Sequence, residues 1–407
     1  MFGLVRQPAS VLFGPGQRSQ LPHAARRLAR HVLIVTDERM AASADFDEMH
    51  CAMEGAGLEV SVFDRAQPDL PRSSVLEAVA AHAGSDIDGV VGVGGGSCLD
   101  LAKVVAVILA NGGDVRDLYG EFKVPAAGLP VIAVPTTGGT GAEVTSIAVV
   151  FDDEAGMKMG VADPYLEPVF AIIDPELTVS CPPGLTAATA ADALSHVVES
   201  YTCRDKAPGP EDIAGKLYVG KNRITDVFCA EGFKAIAGGF ETVVTTPRDL
   251  SARTEMMFGA YCAGMAINTT GTAAAHALQA PMAAHCNASH GFGVGALLPY
   301  VMRFNLRDRV EAFARMAEFL SISEGDLPVE TAARAAIERI ESLLLTAGVP
   351  ADLRGLGLDR ADIPAIATGA MKATRLTVNN PREMTKESMT RLLERAYDGD
   401  RSWWTAP

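Results

Sequence analysis

The sequence predicts an α/β part with a parallel sheet, followed by an all-helical part. Up to about residue 180, short β-branched runs alternate with helical stretches. From Pro182 onward the strand signals vanish, and long segments rich in Ala, Leu, Met and Glu take over. Between the two lies Cys181-Pro-Pro-Gly184, where prolines and a glycine interrupt regular structure. We therefore predict one domain over residues 1–181 and a second over residues 182–407.

Five short apolar runs predict the strands of the sheet. Each has the length of a buried strand, and helical stretches separate one from the next. That alternation is typical of a parallel sheet covered by helices on both faces. A pair of strands around Asp152-Asp-Glu-Ala-Gly156 predicts an additional hairpin. The five runs are residues 31–36, 58–63, 89–93, 130–134 and 169–173.

The second half reads as helices with one interruption. A polar stretch from Lys206 to Asn222, rich in Gly and Pro, predicts a surface excursion between helices. The predicted helices cover residues 187–202, 230–244, 252–268 and 329–347.

Composition excludes several classes of partner. The 407 residues carry a formal net charge of −15 without a cluster of Lys or Arg, which argues against nucleic acid and anionic membranes as partners. No apolar run reaches the ~20 residues of a membrane span, and the N-terminus lacks the apolar stretch of a signal peptide. Seven scattered cysteines, never spaced CxxC, indicate reduced thiols. We expect a cytoplasmic protein with a substantial core.

A glycine-rich loop follows the third predicted strand. Gly94, Gly95 and Gly96 let the backbone approach a ligand closely, and Ser97 leads into a helix. The free N–H groups and partial positive charge of a helix N-terminus suit a pyrophosphate. Ser97 is either a phosphate ligand or the helix N-cap. A tight turn without a ligand is the alternative for the loop as a whole.

A second loop, Pro135-Thr-Thr-Gly-Gly-Thr-Gly141, follows the fourth predicted strand. The hydroxyls of Thr136, Thr137 and Thr140 could bind ribose or phosphate oxygens, because ligands gather at the carboxyl ends of parallel strands. Asp37 ends the first predicted strand. An acidic side chain there can accept hydrogen bonds from an adenosine ribose and repel a 2′-phosphate, although position alone favours an exposed loop aspartate.

The helical half contains a candidate metal site. Asp192 and His196 are four residues apart in a predicted helix and so project from one face. His276 and His290 lie downstream in surroundings rich in Gly and Ala. Taken singly, each has an ordinary structural explanation. Taken together they form one carboxylate and three imidazoles, a set that binds a divalent metal and leaves room for a substrate oxygen.

In these segments the chain resembles the iron-containing (group III) alcohol dehydrogenases, and the resemblance covers essentially its whole length. Long motifs in the right order carry it. They are Gly94-Gly-Gly-Ser97 with Asp100 and Lys103, Pro135 to Thr145, Asp192-Ala-Leu-Ser-His-Val-Val-Glu199, His276 with His290-Gly291, Leu297 to Asn305, and Asn380-Pro-Arg382.

The resemblance implies a Rossmann-like first domain, a helical second domain, an active site in the cleft between them, and a homodimer or larger homo-oligomer. It implies Fe²⁺, with Zn²⁺ as the alternative, and NAD in preference to NADP because Asp37 matches the discriminating position. The implied metal ligands are Asp192, His196, His276 and His290. The implied cofactor contacts are Asp37, Gly94, Gly95, Gly96, Ser97, Asp100, Thr136, Thr137, Thr140, Lys158 and Leu177.

The implied reaction is hydride transfer between the nicotinamide and a small alcohol, aldehyde or hydroxyacid. A histidine found near the nicotinamide in several members is replaced here by Ala280, and His285 is the nearest candidate for a proton relay. Two other activities use the same fold, those of maleylacetate reductases and hydroxyacid–oxoacid transhydrogenases. A non-redox enzyme like dehydroquinate synthase would need a basic substrate pocket, and the sequence has no matching cluster.

Overall fold

The centre of the α/β part is a six-stranded parallel sheet in the computed structural model, which describes residues 2–286, 288–322 and 327–404. Its strand order is β1-β9-β6-β4-β2-β3. The strands of the whole chain are β1 Ser10–Phe13, β2 His31–Val35, β3 Glu59–Phe63, β4 Gly89–Gly94, β5 Gly120–Glu121, β6 Val131–Pro135, β7 Ile147–Asp152, β8 Met157–Ala162 and β9 Phe170–Ile173.

The five predicted strands correspond to β2, β3, β4, β6 and β9, and each bound lies within one residue of its prediction. The prediction missed β1, a four-residue strand that pairs in parallel with β9 at the sheet edge. All of its residues are half-buried, and its apolar run, Val11-Leu12-Phe13, is shorter than the runs of the inner strands β2, β6 and β9.

The predicted hairpin is present as the antiparallel pair β7 and β8, to which β5 adds a short third strand. Asp152 sets the turn, since its carboxylate accepts hydrogen bonds from the backbone N–H groups of Glu154 and Ala155. Gly156 follows with φ +63°, which a glycine adopts without strain.

By its internal contacts the chain divides into two units. The α/β unit comprises residues 6–181 and 209–217, and the helical unit comprises the described residues of 1–5, 182–208 and 218–407. Part of the predicted surface excursion therefore packs with the α/β unit and forms a short helix there. In the α/β unit the helices are α1 Leu21–Arg26, α2 Glu38–Ala41, α3 Ala44–Gly55, α4 Arg72–His82, α5 Gly96–Asn111 and, from the excursion, α7 Pro210–Gly215.

The helical unit packs around α6, which is buried along most of its length. Its apolar core draws side chains from α6, α8, α9, α11, α13 and α16. The helices of this unit are α6 Pro183–Thr202, α8 Arg223–Thr245, α9 Leu250–Thr270, α10 Ala274–Met282, α11 His290–Asn305, α12 Val310–Phe319, α13 Val329–Thr346, α14 Ile363–Ala370, α15 Thr374–Thr377 and α16 Lys386–Asp398.

Helix α6 begins four residues before its predicted start. Pro182 is the N-cap and Pro183 the first helical residue. A proline is tolerated in the first turn because the N–H group that it lacks has no partner within the helix there. The prolines that directly follow the α/β unit therefore start the helix that carries Asp192. Over the residues described, none of the helices has both the length and the apolar character that crossing a membrane requires.

Candidate metal centre and nucleotide-binding loops

Helix α6 supplies the first two candidate metal ligands. Asp192 and His196 are buried and one helical turn apart, and Nε2 of His196 lies 3.7 Å from Oδ1 of Asp192. The small residues around them, including Ala188 and Ala191, let other helices approach this face closely. Helix α6 therefore presents a carboxylate and an imidazole at a tightly packed interface inside the helical unit.

Two further helices of the same unit bring His276 and His290 to Asp192. His276 lies in the first turn of α10, and His290 is the first residue of α11. Gly291 explains how α11 comes so close, because a Cβ atom at this position would lie 1.9 Å from the backbone oxygen of Ala188. The glycine lets the start of α11 rest directly on α6, one turn before Asp192.

The three histidines converge on one oxygen. Nε2 of His276 and Nε2 of His290 each lie 3.6 Å from Oδ1 of Asp192, close to the 3.7 Å of His196. Ligands bound tetrahedrally at metal–ligand distances near 2.1 Å would be about 3.4 Å apart. These three separations from Oδ1 therefore suit ligands of one metal ion. Ligand atoms of Asp192, His276 and His290 also all lie within 4.8 Å of one another, a group that does not include His196.

Hydrogen bonds at the far side of two rings fix which nitrogen faces Asp192. Nδ1 of His276 lies 2.7 Å from Oε2 of Glu199, and Nδ1 of His290 lies 2.8 Å from Oε1 of Gln279. Since carboxylate and amide oxygens only accept, each Nδ1 donates its proton. In the neutral imidazole the lone pair is then on Nε2, which is the arrangement that metal-binding histidines use.

The electrostatics of this cluster favour a cation. Burial opposes ionisation of Asp192, but His196, His290 and His276 outweigh it and hold the pKa of Asp192 well below its usual range. For His276, burial lowers the pKa, but the carboxylates of Glu199 and Asp192 raise it to about 9. Two buried carboxylates thus attract a proton to the site, and a divalent ion would meet the same attraction.

Two buried atoms of the cluster support a metal directly. Within the described residues, Oδ1 of Asp192 and Nε2 of His276 make no hydrogen bond. Buried polar atoms without a partner are costly and uncommon. Because both atoms point at the place where a shared ligand would lie, one carboxylate and three imidazoles fit a divalent iron or zinc ion.

In the α/β unit, β4 and the N-terminus of α5 build the candidate phosphate loop. The N-cap of α5 is Gly95 and no side chain caps the helix, so its first N–H groups remain available to an anion. Ser97 lies inside the first turn and is not the N-cap. Gly94 has φ +153°, and a Cβ there would lie 2.6 Å from Sγ of Cys98.

Gly95 differs from Gly94 and Gly96 because a Cβ atom at its position would not clash with the protein. A Cβ at Gly96 would clash with Cγ2 of Thr140 at 2.7 Å, so protein packing explains that glycine. A Cβ at Gly95 would meet nothing closer than Thr137 at 3.5 Å, and the φ of −75° is ordinary. Packing within the protein therefore does not require glycine at 95, whereas close approach of a phosphate would.

The threonine loop lies against the glycine loop, as adjacent strands β4 and β6 require. Thr137 faces Gly95 and Thr140 faces Gly96, while the N–H of Thr136 donates to the carbonyl of Gly94 at 2.9 Å. Oγ1 of Thr140 accepts from the N–H of Ala142, and Oγ1 of Thr136 is buried without a hydrogen-bond partner among the described residues. The two loops thus form one continuous surface.

Asp37 follows β2, next to the glycine loop. Oδ1 accepts the N–H of Met40 at 2.8 Å, which makes Asp37 the N-cap of α2, and Oδ2 faces the thiol of Cys98 at 3.6 Å. This Oδ2 lies 3.8 Å from the position of a Cβ on Gly94. The carboxylate is therefore held at the carboxyl ends of β2 and β4, where an adenosine ribose binds in dinucleotide folds.

The remaining predicted cofactor contacts have protein partners of their own. Asp100 accepts the N–H of Val149 at 2.9 Å and lies 3.5 Å from Nζ of the buried Lys103, which ties α5 to β7. Lys158 pairs with Asp69 at 2.6 Å. Leu177 is buried in the apolar layer on one face of the sheet. Cofactor contact by these three residues stays a prediction.

His285, the candidate proton relay, lies in the turn after α10, where its Nδ1 is 3.1 Å from a carboxylate oxygen of Asp362. The sequence interpretation assigned no role to Glu199 or Gln279. Glu199 follows Asp192 and His196 at helical spacing, so that periodicity could have identified it. Gln279 has no such signal, because its contact with His290 depends on how α10 packs against α11.

Comparisons with known proteins agree with this architecture. A profile of the iron-containing alcohol dehydrogenases matches residues 8–175, and a profile of the C-terminal region of the Fe-containing alcohol dehydrogenase family matches residues 186–397. The chain belongs to the iron-containing alcohol dehydrogenase family. It is accordingly an oxidoreductase, and membership of this family supports NAD and Fe²⁺ as its cofactors.

Relatives from this family match the chain almost end to end. It is 33% identical to the NAD-dependent methanol dehydrogenase of Bacillus methanolicus over 96% of this chain and 98% of that protein. It is 32% identical to lactaldehyde reductase of Escherichia coli K12, over 95% and 97% respectively. A crystal structure of 1,3-propanediol oxidoreductase superposes with a TM-score of 0.90 at 29% identity, over 98% of this chain and 100% of that one.

Proposed function

We propose that this iron-containing alcohol dehydrogenase uses Fe²⁺ and NAD to interconvert a small primary alcohol, or a hydroxyacid, and its carbonyl product. The observation that carries the proposal is the convergence of three histidine Nε2 atoms on Oδ1 of Asp192 at 3.6–3.7 Å. Relatives named for methanol, lactaldehyde and 1,3-propanediol support a small oxygenated substrate.

Asp192, His196, His276 and His290 would hold the metal. Of the four side chains, His290 is 35% exposed, whereas the other three are only 5–8% exposed. Because His290 is the most exposed of the four, a substrate oxygen would reach the metal from the side of His290. When bound, Fe²⁺ would supply the Lewis acidity that polarises that oxygen, and NAD would supply the hydride acceptor.

The residues of the α/β unit would orient the nucleotide. The uncapped N-terminus of α5 and the open backbone at Gly95 suit the pyrophosphate, and the carboxylate of Asp37 suits a ribose that carries a free 2′-hydroxyl. Thr137 and Thr140 lie beside the same loop, and their hydroxyl groups can donate hydrogen bonds to the nucleotide.

Metal removal and reconstitution test the proposal. The protein is stripped with a chelator, reloaded anaerobically with Fe²⁺ or with Zn²⁺, and assayed with NAD against C1–C6 alcohols, diols and hydroxyacids. We expect the stripped protein to be inactive and Fe²⁺ to restore turnover with net formation of NADH. Full activity after verified stripping would refute the metal-dependent function, and turnover without net NADH would identify a transhydrogenase instead.

A pair of aspartate variants localises the metal. Asp192→Asn keeps the size of the side chain but removes the charge on which the three histidines converge. We expect on the order of 100-fold or more loss of metal affinity, since even the outer partners of metal ligands contribute about 10–100-fold. Asp226→Asn is the matched control, because Asp226, on α8, pairs with Lys221 and is not one of the four candidate ligands. Equal metal content in the two variants would place the metal elsewhere.

A further inference from the structure

Glu199 is a buried carboxylate beside the candidate metal centre, and it accepts several hydrogen bonds. It lies seven residues after Asp192 on the same face of α6 and is 2% exposed. Its oxygens accept three hydrogen bonds, from the N–H groups of Ala273 at 2.8 Å and Ala275 at 2.6 Å and from Nδ1 of His276 at 2.7 Å. One side chain thus engages both the backbone at the start of α10 and an imidazole.

The start of α10 has no cap of its own. Its N-cap residue is Ala273, and no side chain within the helix supplies the usual capping hydrogen bond. Glu199 takes that place from α6, and its negative charge complements the positive end of the helix dipole. The position of α10 relative to α6 therefore depends on the same carboxylate that orients the ring of His276.

We propose that Glu199 is a positioning residue for the metal centre. It holds His276 in the tautomer that carries its proton on Nδ1, with Nε2 facing Asp192. The inference rests on the metal site of the proposed function. Because the carboxylate accepts the proton of Nδ1, the lone pair of the neutral imidazole lies on Nε2, and a carboxylate acceptor on Nδ1 makes Nε2 a stronger metal ligand.

The turn that precedes α10 is itself held in place. Nδ2 of Asn379 donates to the carbonyls of Thr270 and Thr272, at 2.9 Å each. This clamp fixes the backbone on one side of Ala273 while Glu199 fixes it on the other. His276 therefore has little freedom to compensate for the loss of the carboxylate by moving.

His290 provides an internal comparison. Its Nδ1 partner is the neutral amide of Gln279, and its ring is 35% exposed, so water can replace that partner. The ring of His276 is 8% exposed, and no water has comparable access to its Glu199 contact. Loss of the Glu199 carboxylate should consequently weaken metal binding more than loss of the Gln279 amide.

The test measures metal binding without turnover. The dissociation constants of Zn²⁺ and Co²⁺ are measured by chelator competition on the full-length chain, with the visible spectrum of the Co²⁺ form as a second readout. We expect Glu199→Gln to weaken binding about 10–100-fold and to alter the Co²⁺ spectrum. We expect Gln279→Ala to weaken it less.

The matched control is Glu341→Gln. Glu341 is also a buried glutamate of the helical unit, but its partners are Arg303, at 2.8 Å, and Arg401. This variant should lose stability and keep the wild-type metal affinity and Co²⁺ spectrum. If Glu199→Gln does not fold, Glu199→Asp replaces it in the test, because it keeps the carboxylate on a shorter side chain. We expect Glu199→Asp to bind metal more weakly than the wild type does.

The outcomes separate the two proposals. If the wild-type protein binds neither Zn²⁺ nor Co²⁺, the proposed function fails. If it binds them and a folded Glu199→Gln or Glu199→Asp variant binds equally well with an unchanged spectrum, the positioning role is refuted. Equal losses in Glu199→Gln and Glu341→Gln would also refute it, because the effect would then follow from general destabilisation.

Discussion

At the scale of single residues, Asp37 combines a structural and a chemical task. One oxygen caps α2 and the other lies beside the glycine loop. We predict that Asp37→Asn, which keeps a capping oxygen and removes the charge, raises kcat/KM for NADP about 10-fold. The reason is that a carboxylate near a 2′-phosphate costs on the order of 1 kcal/mol or more. Steady-state kinetics with both nucleotides measure the change.

The neighbouring Glu38 supplies the control for this prediction. It is an exposed carboxylate in the first turn of α2, so Glu38→Gln removes the same charge from the same helix end. Its ratio of NADP to NAD activity should stay at the wild-type value. If the two variants shift the ratio equally, the preference reflects overall charge at this helix and Asp37 does not discriminate between the nucleotides.

Glu143 gives a prediction for pH. It is buried directly after the threonine loop, and burial raises its pKa to about 7, although a backbone hydrogen bond and Lys103 oppose the shift. A raised carboxyl pKa means that the folded state binds the proton more tightly than the unfolded chain. The stability from this group is therefore complete below its ordinary pKa of 4.5 and is lost as pH rises towards 7.

Glu143→Gln should remove this dependence, because an amide does not titrate. Urea unfolding of wild type and variant at pH 5 and pH 8 measures the free energy of unfolding. We predict that, from pH 5 to pH 8, the free energy of unfolding of Glu143→Gln increases relative to that of the wild type. Glu38→Gln is again the control and should track the wild type. A constant difference between wild type and Glu143→Gln at both pH values would contradict the prediction.

The candidate site could be predicted from sequence only where local spacing carries the information. Asp192 and His196 share a helical face by their spacing alone, which also extends to Glu199. That His276 and His290 meet them depends on how α10 and α11 pack against α6. The sequence alone therefore made those two residues candidates, their roles as ligands came from the family resemblance, and nothing in local sequence pointed to Gln279.

At the scale of elements, the buried strands were predictable, whereas two short peripheral elements, β1 and α7, were not. Strands such as β2 and β4 are buried on both faces, so their sequences are continuous apolar runs with sharp ends. Strand β1 lies at the sheet edge and α7 is a six-residue helix, so neither has a comparable pattern. The packing of residues 209–217 with the α/β unit follows from tertiary contacts, which local sequence does not encode.

The start of α11 gives a prediction at this scale. In Gly291→Ala the added Cβ would meet the backbone oxygen of Ala188 at 1.9 Å, and backbone cannot rotate away as a side chain can. Helix α11 must therefore shift and carry His290 with it. We predict a loss of about 1–3 kcal/mol in the free energy of unfolding. Metal affinity should fall at least 10-fold, as measured by chelator competition.

Gly238 in the middle of α8 is the matched control. A Cβ there meets no atom within 4 Å. Gly238→Ala should therefore stabilise the protein by about 0.5–1 kcal/mol, because alanine is the better helix residue, and should leave metal affinity unchanged. Equal metal affinity in Gly291→Ala and Gly238→Ala would show that the position of α11 does not control the site.

At the scale of the whole molecule, the candidate metal ligands lie in one unit and the nucleotide loops in the other. A ligand that binds only the folded state stabilises it by RT ln(1 + [L]/Kd), about 2.7 kcal/mol at 100 times Kd. Metal should therefore stabilise the helical unit and NAD the α/β unit. We predict that hydrogen exchange slows in α6, α10 and α11 when metal is added, and in α5 and the threonine loop when NAD is added.

Hydrogen exchange read peptide by peptide can separate these two effects, whereas a single melting temperature cannot. The control is Asp192→Asn, in which added metal should no longer protect α6, α10 and α11 while NAD should still protect α5. Protection of the α/β unit by metal alone, with no effect on α6, would contradict the assignment of metal to the helical unit. Protection of α6 by metal in Asp192→Asn as strong as in wild type would contradict the ligand set, because the oxygen on which the three histidines converge would then be dispensable.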